Sequence, residues 1–331
     1  MDANHAVKKL QRWRHLMPRV KPFFAIKCNP DPVLIKSLVV AGDCGFDCAS
    51  IGEIGAVLEA GAHPARIIYA NPNKAPDAIT RSLMLGVTTM TFDSVAELRK
   101  HGPDAPVPDM VLRLRVPDDH SVFKLGSKFG AEPLQVRSLL QASLDTGLRV
   151  VGISFHCGSG CYDATAFVVA LRLARDAFNI GAEMGIVMTL VDMGGGFPGL
   201  DGDEELHLVE VARQVKPALD ELFPVDGPPV SVISEPGRYF VEGSTELFLN
   251  VFESKDLPLG QKVSSSALVS ASEASDGSTT ETSEVENNEA VTLWFVNEGT
   301  LGCFKDIVLS DVKFEPELVL HAGWWPPLLF L

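Results

Sequence analysis

Positive charge is scarce in this chain. Twenty-eight lysines and arginines stand against 43 aspartates and glutamates, giving 331 residues a formal charge of −15. Phosphate backbones are bound by basic patches, so nucleic acid is not the expected partner. Long hydrophobic runs are missing too. No apolar stretch reaches the roughly 18 residues a membrane helix needs. The C-terminal run LVLHAGWWPPLLFL is short and is broken by Pro326 and Pro327. A signal-peptide pattern is also lacking: HAVKKLQRWRHLMP reads as a basic amphipathic helix that runs into the first strand. No membrane contact is therefore expected. Cysteine is sparse and scattered, at Cys28, Cys44, Cys48, Cys157, Cys161 and Cys303. Most lie in apolar runs, which predicts buried, reduced thiols in a cytoplasmic protein. The two C-x3-C pairs depart from C-x2-C spacing and fall at strand ends, so no metal is expected.

What the chain does have is apolar residues, 46% of the total, and a repeating order. Short β-rich runs recur: PFFAIK (22–27), GFDCAS (45–50), RIIYAN (66–71), TMTFDS (89–94), MVLRLRV (110–116), VVGISFHCG (150–158), TLVDMGGG (189–196) and VSVISEPG (230–237). Helical patterns separate them, among them DPVLIKSLVVAG and ATAFVVALRLARDAFNIGAEMG. Strands alternating with helices imply parallel pairing, and eight such units predict an α/β protein with a (β/α)8, TIM-type barrel over residues 1–244. After Ser244 the character changes. TELFLNVFES and AVTLWFVNEGT look like strands without intervening helices, so residues 245–331 are expected to form a partial, mainly β domain. Between those runs, residues 264–290 hold six acids (Glu273, Asp276, Glu281, Glu284, Glu286, Glu289) and no base. That stretch is too polar to bury a core and is expected to be disordered.

Polar groups cluster where the strands end. Lys27 closes a hydrophobic strand just before the breaker pair Asn29–Pro30, and an ammonium there is costly unless something uses it. Other strand ends carry Asp47, Asn71, Asp93, Arg113, His156 and Glu235. Each alone reads as a cap or a satisfied core residue; their convergence on the C-terminal mouth of one barrel points to chemistry. The loops after strands seven and eight, GGGFPG and the turn holding Arg238, offer backbone N–H groups and a guanidinium to an anion. A phosphate anchor facing a desolvated lysine is what pyridoxal 5'-phosphate requires. On this reading Lys27 holds the aldehyde, and Glu235 protonates the pyridine nitrogen. The imidazole of His156 lies on the ring. The competing reading of Glu235 is an ion pair with Arg238.

Taken together, PFFAIKCNPD, GFDCAS, RIIYANPNK, TMTFDS, KFGA, SFHCGSGC, DMGGGFPG and EPGRYFV resemble the eukaryotic ornithine decarboxylases, and more widely the fold-type III pyridoxal phosphate decarboxylases of basic amino acids. The match runs from about residue 7 to 245 and again over WFVNEGTLGCF. The resemblance implies that Lys27 binds the cofactor covalently, with Asp47 and Glu53 in the hydrogen-bonding network around it. Arg113 lies near the ring and His156 stacks on it. Ser159, Gly195, Gly196 and Arg238 bind the phosphate, and Glu235 pairs with the pyridine nitrogen. Lys128, in KFGA, matches a partner-subunit contact of a homodimer. The implied activity is decarboxylation of L-ornithine to putrescine. The alternatives are a non-catalytic, antizyme-inhibitor-like homologue, or a decarboxylase of lysine, arginine or diaminopimelate. An antizyme-type regulator is the implied protein partner.

Departures from the family pattern concern the ends. The family's W-G-P-T-C-D segment, whose cysteine completes the partner's site, has no counterpart here, and Cys303 lies in a different motif. The family's substrate-binding aspartate falls in register on Ser310. Asp311, one residue away, is the weak candidate, because a one-residue slip on a strand reverses the side chain. The expectation is a folded barrel with impaired decarboxylase activity.

Overall fold

A computed structural model describes residues 1–102, 106–199 and 203–257, together with the short strands 262–264, 284–286, 291–296, 317–319 and 328–330. Eight parallel strands close into a barrel: β1 (Val20–Ala25), β2 (Gly45–Cys48), β3 (Ile67–Tyr69), β4 (Thr89–Phe92), β5 (Asp109–Arg113), β6 (Arg149–Ser154), β7 (Leu190–Asp192) and β8 (Ser231–Ser234). Each strand pairs with the next in sequence, and β8 returns to β1 through Val20–Val232. The predicted barrel is thus present, with every strand ending earlier than its β-rich run. The residues beyond each end bend into the loops of the mouth. Lys27 is one of them: β1 stops at Ala25, and Lys27 sits on a single 3-10 turn, Ile26–Cys28, ahead of the Asn29–Pro30 break.

Local sequence sets the helices. Helix α2 (Pro32–Ala41) starts at Asp31, whose carboxylate accepts the Val33 and Leu34 N–H groups, with proline at the first turn. Helix α3 (Ile51–Glu59) is capped by Ser50, and the Glu53 carboxylate reaches back to the Ala49 N–H. Helix α1 (Ala3–Leu16) buries Ala6, Leu10 and Trp13 along one stripe. The Trp13 indole donates to the Val20 carbonyl at 2.8 Å and packs edge-on against Phe197 and Tyr239. Phe197 in turn stacks on Phe167 of the long helix Ala164–Glu183, so an aromatic cluster backs the glycine-rich loop after β7.

Inside the barrel, Phe23, Ile68, Val111 and Ile233 form a small apolar layer, with Leu190 packed against it. Two strand glycines make room for it. A methyl group on Gly45 would lie 2.5 Å from the Phe23 ring, and one on Gly152 would lie 2.2 Å from the Leu190 carbonyl oxygen. Gly152→Ala is therefore expected to destabilise the fold by about 3 kcal/mol, because the obstruction is backbone and cannot rotate away. A urea midpoint within error of wild type would contradict this packing.

Contacts divide the chain into Met1–Thr245 and Glu246–Leu331. In the second unit, strand Phe248–Leu257 pairs antiparallel with Val291–Val296 and with Leu328–Phe330, and the latter also pairs with Glu317–Val319. The apolar tail thus contributes a strand. The stretch expected to be disordered has paired ends: Lys262–Ser264 runs antiparallel to Glu284–Glu286. Asp311 and Cys303 lie outside the described residues. A further pair of three-residue strands, Ser121–Phe123 and Ser159–Cys161, joins two mouth loops; SGC carries no β-rich pattern to reveal it. Among the described residues, no helix is long and apolar enough to cross a membrane. Cys44, Cys48, Cys157 and Cys161 are buried, but Cys28 is exposed because its turn lies on the rim.

Candidate cofactor site

Side chains two residues apart on a strand point the same way. The polar residues of the mouth follow the apolar layer at that interval: Asp47 after Gly45, Arg113 after Val111, Ser154 after Gly152, Asp192 after Leu190 and Glu235 after Ile233. Strand register ties them together, with Ala25 beside Asp47, Arg113 beside Ser154 and Ser154 beside Asp192. One polar ring therefore sits directly above the barrel core.

Lys27 reaches into this ring and forms an ion pair with Asp47. Its side chain is 48% exposed while that of Asp47 is buried. Packing around the ammonium pulls its pKa down, but Asp47, and after it Glu235, outweigh this and hold it above the ordinary lysine value. The sequence predicts a desolvated lysine; the structure adds a buried aspartate, Asp47, whose ion pair stabilises the ammonium. Attack on an aldehyde needs the neutral amine, whose fraction rises about tenfold per pH unit below the pKa. The unloaded protein should accordingly take up pyridoxal phosphate faster as pH rises through the mildly alkaline range. Asp47→Asn should load about tenfold faster at neutral pH, measured as initial absorbance change on mixing. Slower loading by this variant would contradict the assignment.

His156 follows β6. Burial, then the charges of Arg113 and Lys27, hold its imidazole pKa well below the usual value, so the ring is neutral. Its Nδ1 accepts the Gly158 N–H at 3.1 Å, which leaves the proton on Nε2. Glu235 follows β8 and is the opposite case. Burial first, then Asp192 and Asp47, raise its carboxyl well above the usual range. Its backbone N–H donates to the Gly194 carbonyl at 2.7 Å, and Ser234 Oγ donates to the same oxygen at 2.6 Å. Arg238 is 3.6 Å from Glu242, while Glu235 Oε1 is buried with no hydrogen-bond partner among the described residues. The competing Glu235–Arg238 pairing is not the arrangement found.

The loop Gly194–Gly196 crosses the mouth with its backbone against its neighbours. Gly194 and Gly196 have φ of 62° and 116°, conformations that favour glycine. Methyl groups at Gly194, Gly195 and Gly196 would lie 2.1, 2.7 and 2.6 Å from the carbonyl oxygens of Phe155, Glu235 and Gly158. The Cys161 N–H donates to the Gly196 carbonyl at 2.8 Å, bringing the Ser159–Cys161 strand to the loop. Arg238 lies over the Phe123 ring, 5.7 Å from its centre, and Phe123 is the strand partner of Ser159. The predicted anion-binding residues Ser159, Gly195, Gly196 and Arg238 thus converge on one side of the ring.

Residues 3–242 match the family model described as "Pyridoxal-dependent decarboxylase, pyridoxal binding domain". The chain belongs to the pyridoxal-dependent decarboxylase family. It is 44% identical over 260 residues to ornithine decarboxylase of Panagrellus redivivus, a match covering 78% of this chain and 59% of that one. It is 38% identical over 320 residues to antizyme inhibitor 2 of Xenopus laevis, covering 97% and 65%. Among solved structures, the arginine decarboxylase of Paramecium bursaria Chlorella virus matches with a TM-score of 0.82 at 30% identity, covering 97% of this chain and 77% of that one. The chain spans about three-fifths of the length of the curated relatives it matches.

The mouth suits the cofactor this decarboxylase family is named for. Asp47 Oδ1, Ser154 Oγ, Asp192 Oδ2 and Glu235 Oε1 are buried without a hydrogen-bond donor or acceptor among the described residues. Buried polar atoms are normally satisfied, so this ring is built for a polar guest. The glycine loop provides backbone where side chains would obstruct an anion. Glu53 is engaged in the first turn of α3, one turn beyond Asp47. Lys128 is exposed, with its ammonium 5.0 Å from the centre of the Phe129 ring, and Arg113 lies over the same ring at 5.0 Å. Sequence reasoning missed Asp192 and Ser154. The two-residue interval after Leu190 and Gly152 was the available signal.

Proposed function

We propose that this chain acts in the pyridoxal phosphate-dependent decarboxylation of L-ornithine to putrescine and CO2, as a cytoplasmic homodimer. The observation that carries the reading is Lys27, paired with Asp47 at a mouth where the neighbouring strands β8 and β7 lead into Glu235 and the Gly194–Gly196 loop. Bound pyridoxal phosphate supplies an electron sink for the pair left behind by a departing carboxylate. Lys27 Nζ holds its aldehyde. Ser159, Gly195, Gly196 and Arg238 bind its phosphate, and Arg113 and Glu53 support the walls of the site. Neutral His156 covers the ring face without adding charge. Glu235 holds a proton at the pyridine nitrogen. Asp311 remains the candidate for the substrate's distal ammonium, and Lys128 for a contact with the partner subunit.

The ornithine assignment follows the curated relatives, whereas the viral structure is named an arginine decarboxylase. The antizyme inhibitor relative supports a second reading, a chain that binds an antizyme-type regulator without catalysis. Carboxyl-labelled ornithine, lysine and arginine, offered separately to the loaded protein, separate these readings. CO2 release highest from ornithine is expected. Release only from arginine or lysine would change the substrate, and release from none of them would favour the binding role.

A further inference from the structure

Asp192 has no role in the reading above. It ends β7, is buried, and accepts the Gly194 N–H at 2.9 Å through Oδ1. Its other oxygen, Oδ2, is buried and receives no N–H or O–H from the described residues; Glu235 Oε1 is in the same position. Strands β7 and β8 are neighbours, with Asp192 opposite Ile233 and Glu235 two residues beyond it, so the two carboxyls share one side of the ring. Two buried carboxylates side by side repel, whereas one proton shared between them makes one a donor and the other an acceptor.

We propose that Asp192 is a positioning residue of the cofactor site: it accepts a hydrogen bond from a protonated Glu235, aiming that carboxyl into the mouth and keeping a proton there at neutral pH. The proposal rests on the pyridoxal phosphate reading for its purpose but not for its geometry. The surroundings agree with it. Burial, followed by Asp47, also pushes Asp192 up, to about 6, whereas the Gly194 N–H, Glu235 and Arg113 favour its ionised form. Lys27 acts the same way on Glu235 but is outweighed by burial and by the two aspartates. His156, the remaining titratable group beside them, is neutral. Asp192 is therefore the anion of the pair and Glu235 the acid. Glu235 can pass its proton to a pyridine nitrogen and accept a hydrogen bond back from the resulting N–H⁺. Asp192 then keeps the Gly194 N–H. Arg113 and Lys27 face the two carboxylates that result.

The test is read first on protein without added cofactor, so it stands apart from the proposed activity. Carbon-13 NMR of carboxyl-labelled glutamate and aspartate should show one glutamic acid still protonated at neutral pH. Asp192→Asn offers an amide donor to Glu235, so that signal should become a carboxylate; Glu235→Gln should leave Asp192 titrating at least tenfold lower in proton concentration-equivalent affinity, about one pH unit down. In loaded protein, Asp192→Asn should lower kcat about tenfold with KM changed little. A wild-type protein with every labelled carboxyl ionised at neutral pH would overturn the proposal, even if the variants fail to fold. An Asp192→Asn protein whose glutamic acid stays protonated would also overturn it.

Discussion

Lys27→Ala should abolish borohydride-fixed attachment of pyridoxal phosphate and reduce CO2 release by at least about 1,000-fold. The magnitude reflects the loss of a covalent anchor and of the amine that exchanges with the substrate. The fold should survive. Lys27 lies on a rim turn after the last paired residue of β1, its side chain is nearly half exposed, and none of the apolar core depends on it. Removing it leaves Asp47 buried without its cation, so a modest loss of stability is expected. The check compares absorbance after reduction, labelled CO2 release and the thermal midpoint with wild type. A variant that attaches the cofactor as well as wild type would move the anchor elsewhere.

Glu235→Ala should harm catalysis far more than binding. The residues proposed to bind the phosphate, Ser159, Gly195, Gly196 and Arg238, are unchanged in this variant, and Lys27 remains, so the dissociation constant should rise less than about tenfold. Loss of the acid lets a pyridine nitrogen give up its proton, which weakens the electron sink when charge develops. A fall in kcat of about 100-fold is the expected size for one preorganised electrostatic group. Equilibrium dialysis and steady-state kinetics separate the two quantities. A folded variant that loses the cofactor outright, yet turns over normally at saturating cofactor, would reverse the assignment from catalysis to binding.

Much of this site is legible in the sequence. Alternation of β-rich runs with amphipathic stretches dictated the barrel, because parallel strands need helical crossovers. A lysine before Asn29–Pro30, and three consecutive glycines after a strand, are costly unless used, and both proved to face one polar ring. What stayed hidden depended on neighbours far away in sequence. Asp192 in VDMGGG looks like any aspartate closing a strand; its meaning comes from Glu235 on the adjacent strand. The ion pair of Lys27 with Asp47 stayed hidden because a strand-end lysine shows its burial in sequence but not the carboxylate that will face it. The strand pairs at Ser159–Cys161 and Glu284–Glu286 are three residues long and carry no alternation to detect. Glu53 shows a different limit: a residue three after Ser50 reads equally as a capping-box acid or a site residue, and it is found in the cap.

The claim on which the rest depends is that the barrel mouth holds pyridoxal phosphate through Lys27. Peptide mapping by mass spectrometry, after loading and borohydride reduction of the wild-type protein, tests it most directly. One pyridoxyl phosphate per chain on the peptide containing Ala25–Asn29 is the expected result. Modification spread over surface lysines, or concentrated on another one such as Lys21 or Lys128, would contradict the account.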